Sequence, residues 1–191
     1  MVHCVNASYH HGDLRRALIE AAVTAVGEVG VGSLSLRAVA KRAGVSHAAP
    51  AHHFGDKAGL LTAVAAEGHD RFADALERAW QTTGDFVEVG VAYVRFAIDH
   101  RPYFEIMFRP ELLHTDDPEL DRASRRSREM LHRGTDGPGP GEAANGYSTA
   151  ALAAWSVVHG FAELLLAGNF DPAIDDDPEG VLREVVRQLR F

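Results

Sequence analysis

The sequence predicts an all-α protein of about nine helices, a three-helix head joined by one long helix to a larger helical body. Three observations predict it. Apolar residues recur at helical spacing in segment after segment, as in Leu14, Leu18, Ala21, Ala22 and Ala25. No stretch alternates apolar and polar residues as a half-buried strand does. The stretch Leu34 to Phe54, LSLRAVAKRAGVSHAAPAHHF, holds two short helical patterns around a glycine. The expected division is a tail over 1–11, a head over 12–57 and a body over 58–191.

Taken in order, residues 1–11 lack an apolar period and are expected to be flexible. A helix follows from Gly12, DLRRALIEAAVTAVGEVG, with Asp13 where a carboxylate favours a helix N-terminus. Gly30 and Gly32 end it. Leu36, Val39 and Ala40 form the apolar stripe of a second helix, with Arg37, Lys41 and Arg42 on its other side. Gly44 stops that helix, and Ser46 is expected to cap a third one reaching Phe54. Helix, glycine turn and capped helix make a helix-turn-helix, a layout whose second helix enters the major groove of DNA. Leu18, Ala22, Leu36, Val39, Val45, Phe54 and Leu61 are the expected head core.

Asp56 then caps a long helix from Lys57 to about Trp80, with Leu60, Leu61, Val64, Phe72 and Leu76 along one face. Gly68 lies in its middle at a cost of about 1 kcal/mol against alanine, and is a candidate bend. A helix runs on to His100, and Pro102 fits the first turn of the next, PYFEIMFRPELL. Pro118 to about Arg133 is a polar helix with Arg122, Arg125, Arg126 and Arg128 clustered. Gly134 to Gly146 is a Gly/Pro loop without the Lys-Ser/Thr of a phosphate-binding loop. Tyr147 to Ala167 is apolar nearly all round, so burial on more than one side is expected. An acidic turn, DPAIDDDPEG, leads to a last helix with Val181, Val185 and Leu189 on one face.

Composition narrows the function. The hydrophobic fraction of 46% supports a packed core. No apolar run reaches the roughly 18 residues of a membrane span, and the N-terminus lacks a secretion signal. The single Cys4 has no internal disulfide partner. A cytoplasmic protein without a membrane partner is expected. The net charge of −8 is unevenly spread. Up to Lys57 six Lys/Arg face four Asp/Glu, a net of +2, which leaves −10 for the remainder. A basic head on an acidic body suits a DNA reader whose body is kept off the duplex. Glu129 and His132 are half of a di-metal motif whose second copy is missing. His159 and Glu163 fit a core pair better than a metal site. With no Ser/His/Asp or Cys/His arrangement, neither an enzyme nor a metal or other cofactor is expected.

The residues L-R-x-V-A-x-x-A-G-V-S, then H-F, then D-K-x-x-L-L, within Leu34–Leu61, resemble the head of the TetR family of transcriptional regulators. AAWSVVHGFAELLLAG resembles the Trp-His-Gly motif of one TetR subgroup, and PYFEIMFRPEL is similar to a stretch of that same subgroup. The resemblance implies a homodimeric repressor, paired through its last two helices at about 147–167 and 178–190. It implies a double-stranded DNA operator of near-palindromic sequence. It also implies a cavity among the middle helices whose small apolar ligand spreads the heads and releases DNA. Two residues depart from the family pattern: Ala51 stands where an aromatic is usual, and His52 where a long residue such as Arg is common.

On this footing, Ser35 and Arg37 are the expected phosphate contacts, with Lys57 matching the family's phosphate-binding lysine. Ser46, His47, Ala48 and Ala49 are expected to face base edges, with His52 further along. Six histidines fall between Met1 and Lys57. Their protonation predicts DNA affinity that rises from about pH 8 to pH 6. Tyr93, Phe96, Phe104, Met107, Phe108, Trp155 and His159 are the candidate pocket residues, an apolar set with a few polar handles. An α-helical small-molecule carrier that has lost DNA binding is the alternative, motivated by Ala51 and His52.

Overall fold

The computed structural model describes residues 11–135 and 147–188. The expectations for the N-terminal tail, Cys4, most of the Gly/Pro loop and Leu189 lie outside these residues. Among the described residues there are ten α-helices and no strand.

The head comprises α1 (His11–Ser33), α2 (Leu36–Arg42) and α3 (Ala49–Phe54). Gly30 takes φ 75°, ψ 159°, which interrupts α1 one turn before its end. Leu18, Ile19, Ala22 and Val26 of α1 are buried against Val39 of α2 and Leu60, Leu61 and Val64 of the following helix. Leu36, Val45 and Phe54 pack at the edge of this core.

α4 (Lys57–Thr83) belongs to both halves of the molecule. Asp56 caps it, its carboxylate accepting from the Gly59 N–H at 2.8 Å. Its first turns carry the head core and its later turns bury Phe72, Ala73 and Leu76 in the body. The candidate bend at Gly68 is replaced by a packing role. A Cβ there would lie 2.7 Å from Met107 Sδ and 3.2 Å from Tyr103 Cδ1, so glycine lets α4 and α6 approach closely.

α5 (Phe86–Asp99) is capped by Asp85, and α6 (Arg101–Met107) has Pro102 in its first turn. The single helix expected over 102–113 ends at Met107, and Pro110–Leu112 forms a separate 3₁₀ turn. Pro110 has no N–H to continue the ladder, which accounts for the break. α7 (Pro118–Gly134) lies along α4 and is capped by Asp117. α8 (Thr149–Leu166) begins at a Ser148 cap. The acidic turn contains a short α9 (Pro172–Asp176), the element beyond the expected nine, and α10 (Pro178–Gln188) follows.

α8 departs from expectation. Ala151, Ala154, Val158, Phe161 and Ala162 form its one buried stripe, while Ala153 and Leu164 are exposed. It is 18 residues long with a mean hydropathy of 1.4, so by length and composition alone it reaches the membrane-span threshold, with 28% buried. Its outward apolar face is therefore uncovered within one chain. Val185 of α10 is also exposed.

Candidate nucleic-acid interface and effector cavity

At the head, the Ser35 hydroxyl caps α2 by accepting from the Ala38 N–H at 3.3 Å. Arg37 and Lys41 are exposed and make no ion pair among the described residues. Arg42 is held by Glu28 across to α1. Ser46, His47, Ala48, Ala51 and His52 are exposed, while Ala49 is half-buried and Pro50 is buried. Ser46 is not the helix cap that the sequence predicts. α3 starts at Ala49 with Ala48 at its N-cap and no side-chain bond there. The Ala49 N–H that a Ser46 cap would use goes to the Ser46 carbonyl at 3.0 Å, and Pro50 fixes the first turn without an N–H. Ser46, His47 and Ala48 thus lie in the turn before the helix. His53 and Phe54 are half-buried, with the Arg15 guanidinium 5.8 Å from the Phe54 ring.

Lys57 has a role that spacing could not reveal. Its Nζ donates to the Val31 and Gly32 carbonyls at 3.1 and 3.2 Å, closing the broken end of α1. Two further contacts bind the head to the body. Arg15 of α1 meets Glu119 of α7 at 2.8 Å. His114, in the segment before α7, places Nε2 3.0 Å from Asp56 and donates its backbone N–H to Thr62 Oγ1 at 2.9 Å. The Gly59 N–H first, and the His114 ring next, hold the exposed Asp56 carboxyl below its usual range.

The body contains a cavity of about 80 Å³ between α4, α5, α7 and α8. Phe72 and Leu76 of α4, Val89 and Tyr93 of α5, and Trp155 and Val158 of α8 form its apolar walls, with Ser127 and Arg128 contributed by α7. Two of the seven candidate pocket residues, Tyr93 and Trp155, are on its wall. The other five, Phe96, Phe104, Met107, Phe108 and His159, are not among its lining residues, because core packing claims them. Phe96, Phe104 and Met107 are fully buried, and Phe108 and His159 pack ring to ring at 4.7 Å behind Tyr93.

A hydrogen-bonded line fixes this wall. Trp155 Nε1–H donates to the Tyr93 hydroxyl at 3.2 Å, and that hydroxyl lies 2.8 Å from His159 Nδ1. The Tyr93 hydroxyl accepts from Trp155 and shares a second hydrogen bond with His159 Nδ1, whose direction follows the His159 tautomer, with the imidazole neutral. Burial favours that state by lowering the His159 pKa, and burial also pushes the Tyr93 hydroxyl up. His69 of α4 is buried with Nδ1 3.1 Å from Ser127 Oγ of α7. Desolvation takes its pKa down to about 4, so it is neutral at pH 7.

Around these buried pairs, α4 and α7 are laced by charge. Arg122 grips Asp70 through two bonds of 3.0 and 2.7 Å, and Arg126 reaches Asp74 at 2.6 Å and Glu77 at 3.3 Å. The sequence reading missed this lattice. Its signal is the acid spacing Asp70, Asp74 and Glu77 on one face of α4, complementary to Arg122, Arg126 and Arg133 on α7. Among the described residues, no group of three metal-ligating side chains converges.

Comparison with known proteins bears on both parts. A family model described as bacterial regulatory proteins, tetR family, matches residues 18–64. A second, described as tetracyclin repressor-like, C-terminal domain, matches residues 86–189. A BetI HTH-type transcriptional regulator of Yersinia pestis (strain Pestoides F) is 53% identical over 50 residues, 26% of this chain and 25% of that protein. The chain thus spans about a quarter of the length of that curated relative. A protein of unknown function from Rhodococcus sp. RHA1 superposes with a TM-score of 0.73 at 34% identity, covering 95% of each chain. The regulator LfrR of Mycobacterium smegmatis, solved in complex with proflavine, shares the fold at a TM-score of 0.57 and 22% identity, over 91% of this chain and 92% of its own.

Proposed function

The chain belongs to the TetR family of bacterial regulatory proteins, and from that premise we propose that it is a homodimeric transcriptional repressor released from DNA by a small molecule. Its operator is near-palindromic, because two copies of one head read two half-sites. The observation that carries the reading is the continuity of α4. One 27-residue helix, about 40 Å long at 1.5 Å per residue, runs from the Asp56 cap under the helix-turn-helix to Phe72 and Leu76 on the cavity wall. Displacement of its cavity end is transmitted to the head, which Arg15–Glu119 and His114–Asp56 tie to the same body helices.

In this reading, Arg37 and Lys41 supply phosphate contacts, and the Ser35-capped end of α2 presents backbone N–H groups to a further phosphate. Ser46, His47, Ala48 and His52 meet base edges, where alanine can touch a thymine methyl and histidine a guanine acceptor. Lys57 serves the head through the end of α1 and uses its remaining donor toward DNA. The second copy covers the outward face of α8 and the exposed Leu164 and Val185, which supports pairing through α8 and α10. The carrier alternative rests on Ala51 and His52 alone, and the comparisons give it no support.

In vitro selection from a random DNA pool, followed by gel shift with the full chain, tests the proposal. The expected result is a near-palindromic consensus bound by a dimer. Failure to enrich any sequence at low salt, with folded dimer present, would overturn it.

A further inference from the structure

The charge pattern of the cavity defines the class of effector, given that the cavity is the effector site. Two of its polar groups, on Tyr93 and Ser127, are already committed. The Tyr93 hydroxyl is engaged by Trp155 and His159, and the Ser127 hydroxyl donates to the Ser124 carbonyl at 2.9 Å beside His69. A ligand body rich in hydrogen-bonding groups would leave them unpaired against these walls, so the body must be apolar.

Among the described residues, Arg128 is the one charged side chain that lines the cavity. Its neighbours on α7, Arg122, Arg125 and Arg126, are each gripped by a carboxylate. Among the described residues, Arg128 meets only Ser124 Oγ at 3.3 Å and Asp121 at 3.9 Å, with its side chain about half exposed. Beside it a shallower cleft shares Arg128 and Tyr147 with the cavity and adds Arg125, Glu129 and His132. The His132 ring stacks on Tyr147 at 5.3 Å, and its Nδ1 is buried with no hydrogen-bond partner among the described residues. Even with Glu129 counted, the mouth is basic.

We propose that the effector is a small carboxylate with an apolar body: the hydrocarbon lies between α4, α5 and α8, and the carboxylate meets Arg128 at the mouth. Planar, forked donors match a carboxylate in two parallel bonds, whereas an ammonium would face Arg128 with like charge. The assignment rests on the cavity being the effector site, and the test separates the two claims.

The chain has two tryptophans, so in a Trp80→Phe background Trp155 reports from the cavity wall alone. Octanoate, 1-octanol and octylamine share one chain length and differ in the charge of the head. Octanoate is expected to change Trp155 fluorescence with a Kd about tenfold or more below those of the other two. Arg128→Gln should abolish that preference while leaving octanol binding in place. Equal affinities for all three, tighter binding of octylamine, or an octanoate preference that survives Arg128→Gln would overturn the carboxylate assignment and leave the cavity as a binding site. No response to any of the three by folded protein would overturn both.

Discussion

Two cations of the head, Arg37 and Lys41, and most arginines of the body are treated in opposite ways. On α2, the exposed Arg37 and Lys41 make no ion pair among the described residues, while Arg42 of the same helix is held by Glu28. In the body, Arg71, Arg95, Arg122, Arg125, Arg126 and Arg183 are each held by an acid from the same helix or a facing one. An exposed ion pair contributes about 0–1 kcal/mol to stability, so the body's pairs act more by fixing helix register than by strength. An unpaired exposed cation adds little to the fold but can neutralise a phosphate and release a counterion. The distribution of partners therefore says more about function than the net charge of −8 does.

That contrast can be broken or sharpened by experiment. The largest effect belongs to the body. His69 has its pKa lowered from 6.5 to about 4 by burial. Below pH 6.5 the unfolded chain takes up a proton at this residue that the folded chain refuses until about pH 4. Stability is therefore complete above pH 6.5 and falls as the pH drops toward 4, by up to about 3 kcal/mol from this group. Urea unfolding from pH 7 to pH 4 measures the loss, and His69→Gln should flatten that part of the profile. An equally steep profile in the variant would remove His69 as the cause.

Gly68→Ala comes next. The added methyl meets Met107 and Tyr103, so a loss of about 1–3 kcal/mol is expected from overpacking. Thermal unfolding reads it, and an unchanged midpoint would mean that Met107 simply swings aside.

In the head, Arg37→Ala should weaken binding to every DNA sequence by about tenfold and lower the salt slope by about 1, with stability changed by less than about 0.5 kcal/mol. Anisotropy titrations at several salt concentrations give both numbers. A change confined to one operator sequence would reassign Arg37 from phosphate to base contact. The smallest effect is expected from Arg126→Ala, at most about 1 kcal/mol of stability, with the DNA salt slope unchanged. A lowered slope would mean that the body's arginines also reach DNA, and the contrast would fail.

The two regions also differ in how much of them was legible in the sequence. Short-range signals carry the head: the Ser35 cap, the Asp56 cap and the stripe Leu36–Val39–Ala40 all depend on residues within a turn of one another. Ser46 failed as a cap because Pro50, four residues on, imposes a later helix start. In the body, helix positions were readable, but which rings meet was not. The line Trp155–Tyr93–His159 joins residues more than 60 apart in sequence, and no periodicity encodes such a contact. Phe96 and Phe104 carry the same apolar signal as Tyr93, yet only Tyr93 reaches the cavity. Arg128 was hidden among four clustered arginines, since Arg122 and Arg126 are paired by acids of the facing α4, and Arg125 by Asp121 of α7 itself. α8 illustrates the reverse: its all-round apolarity was plain, but one chain covers only one side of it.

In the proposed mechanism, filling the cavity acts on the head through α4. Ala154, buried on the cavity wall, allows that test without the natural effector. Ala154→Phe places a ring in the space, at an overpacking cost of about 1–3 kcal/mol, and circular dichroism verifies folding. The decisive measurement is the affinity of this variant for the selected operator, compared with that of the unaltered chain. A loss of about tenfold or more is expected, within the usual range of coupling between two sites. Unaltered affinity in a folded dimer with its cavity filled would contradict it.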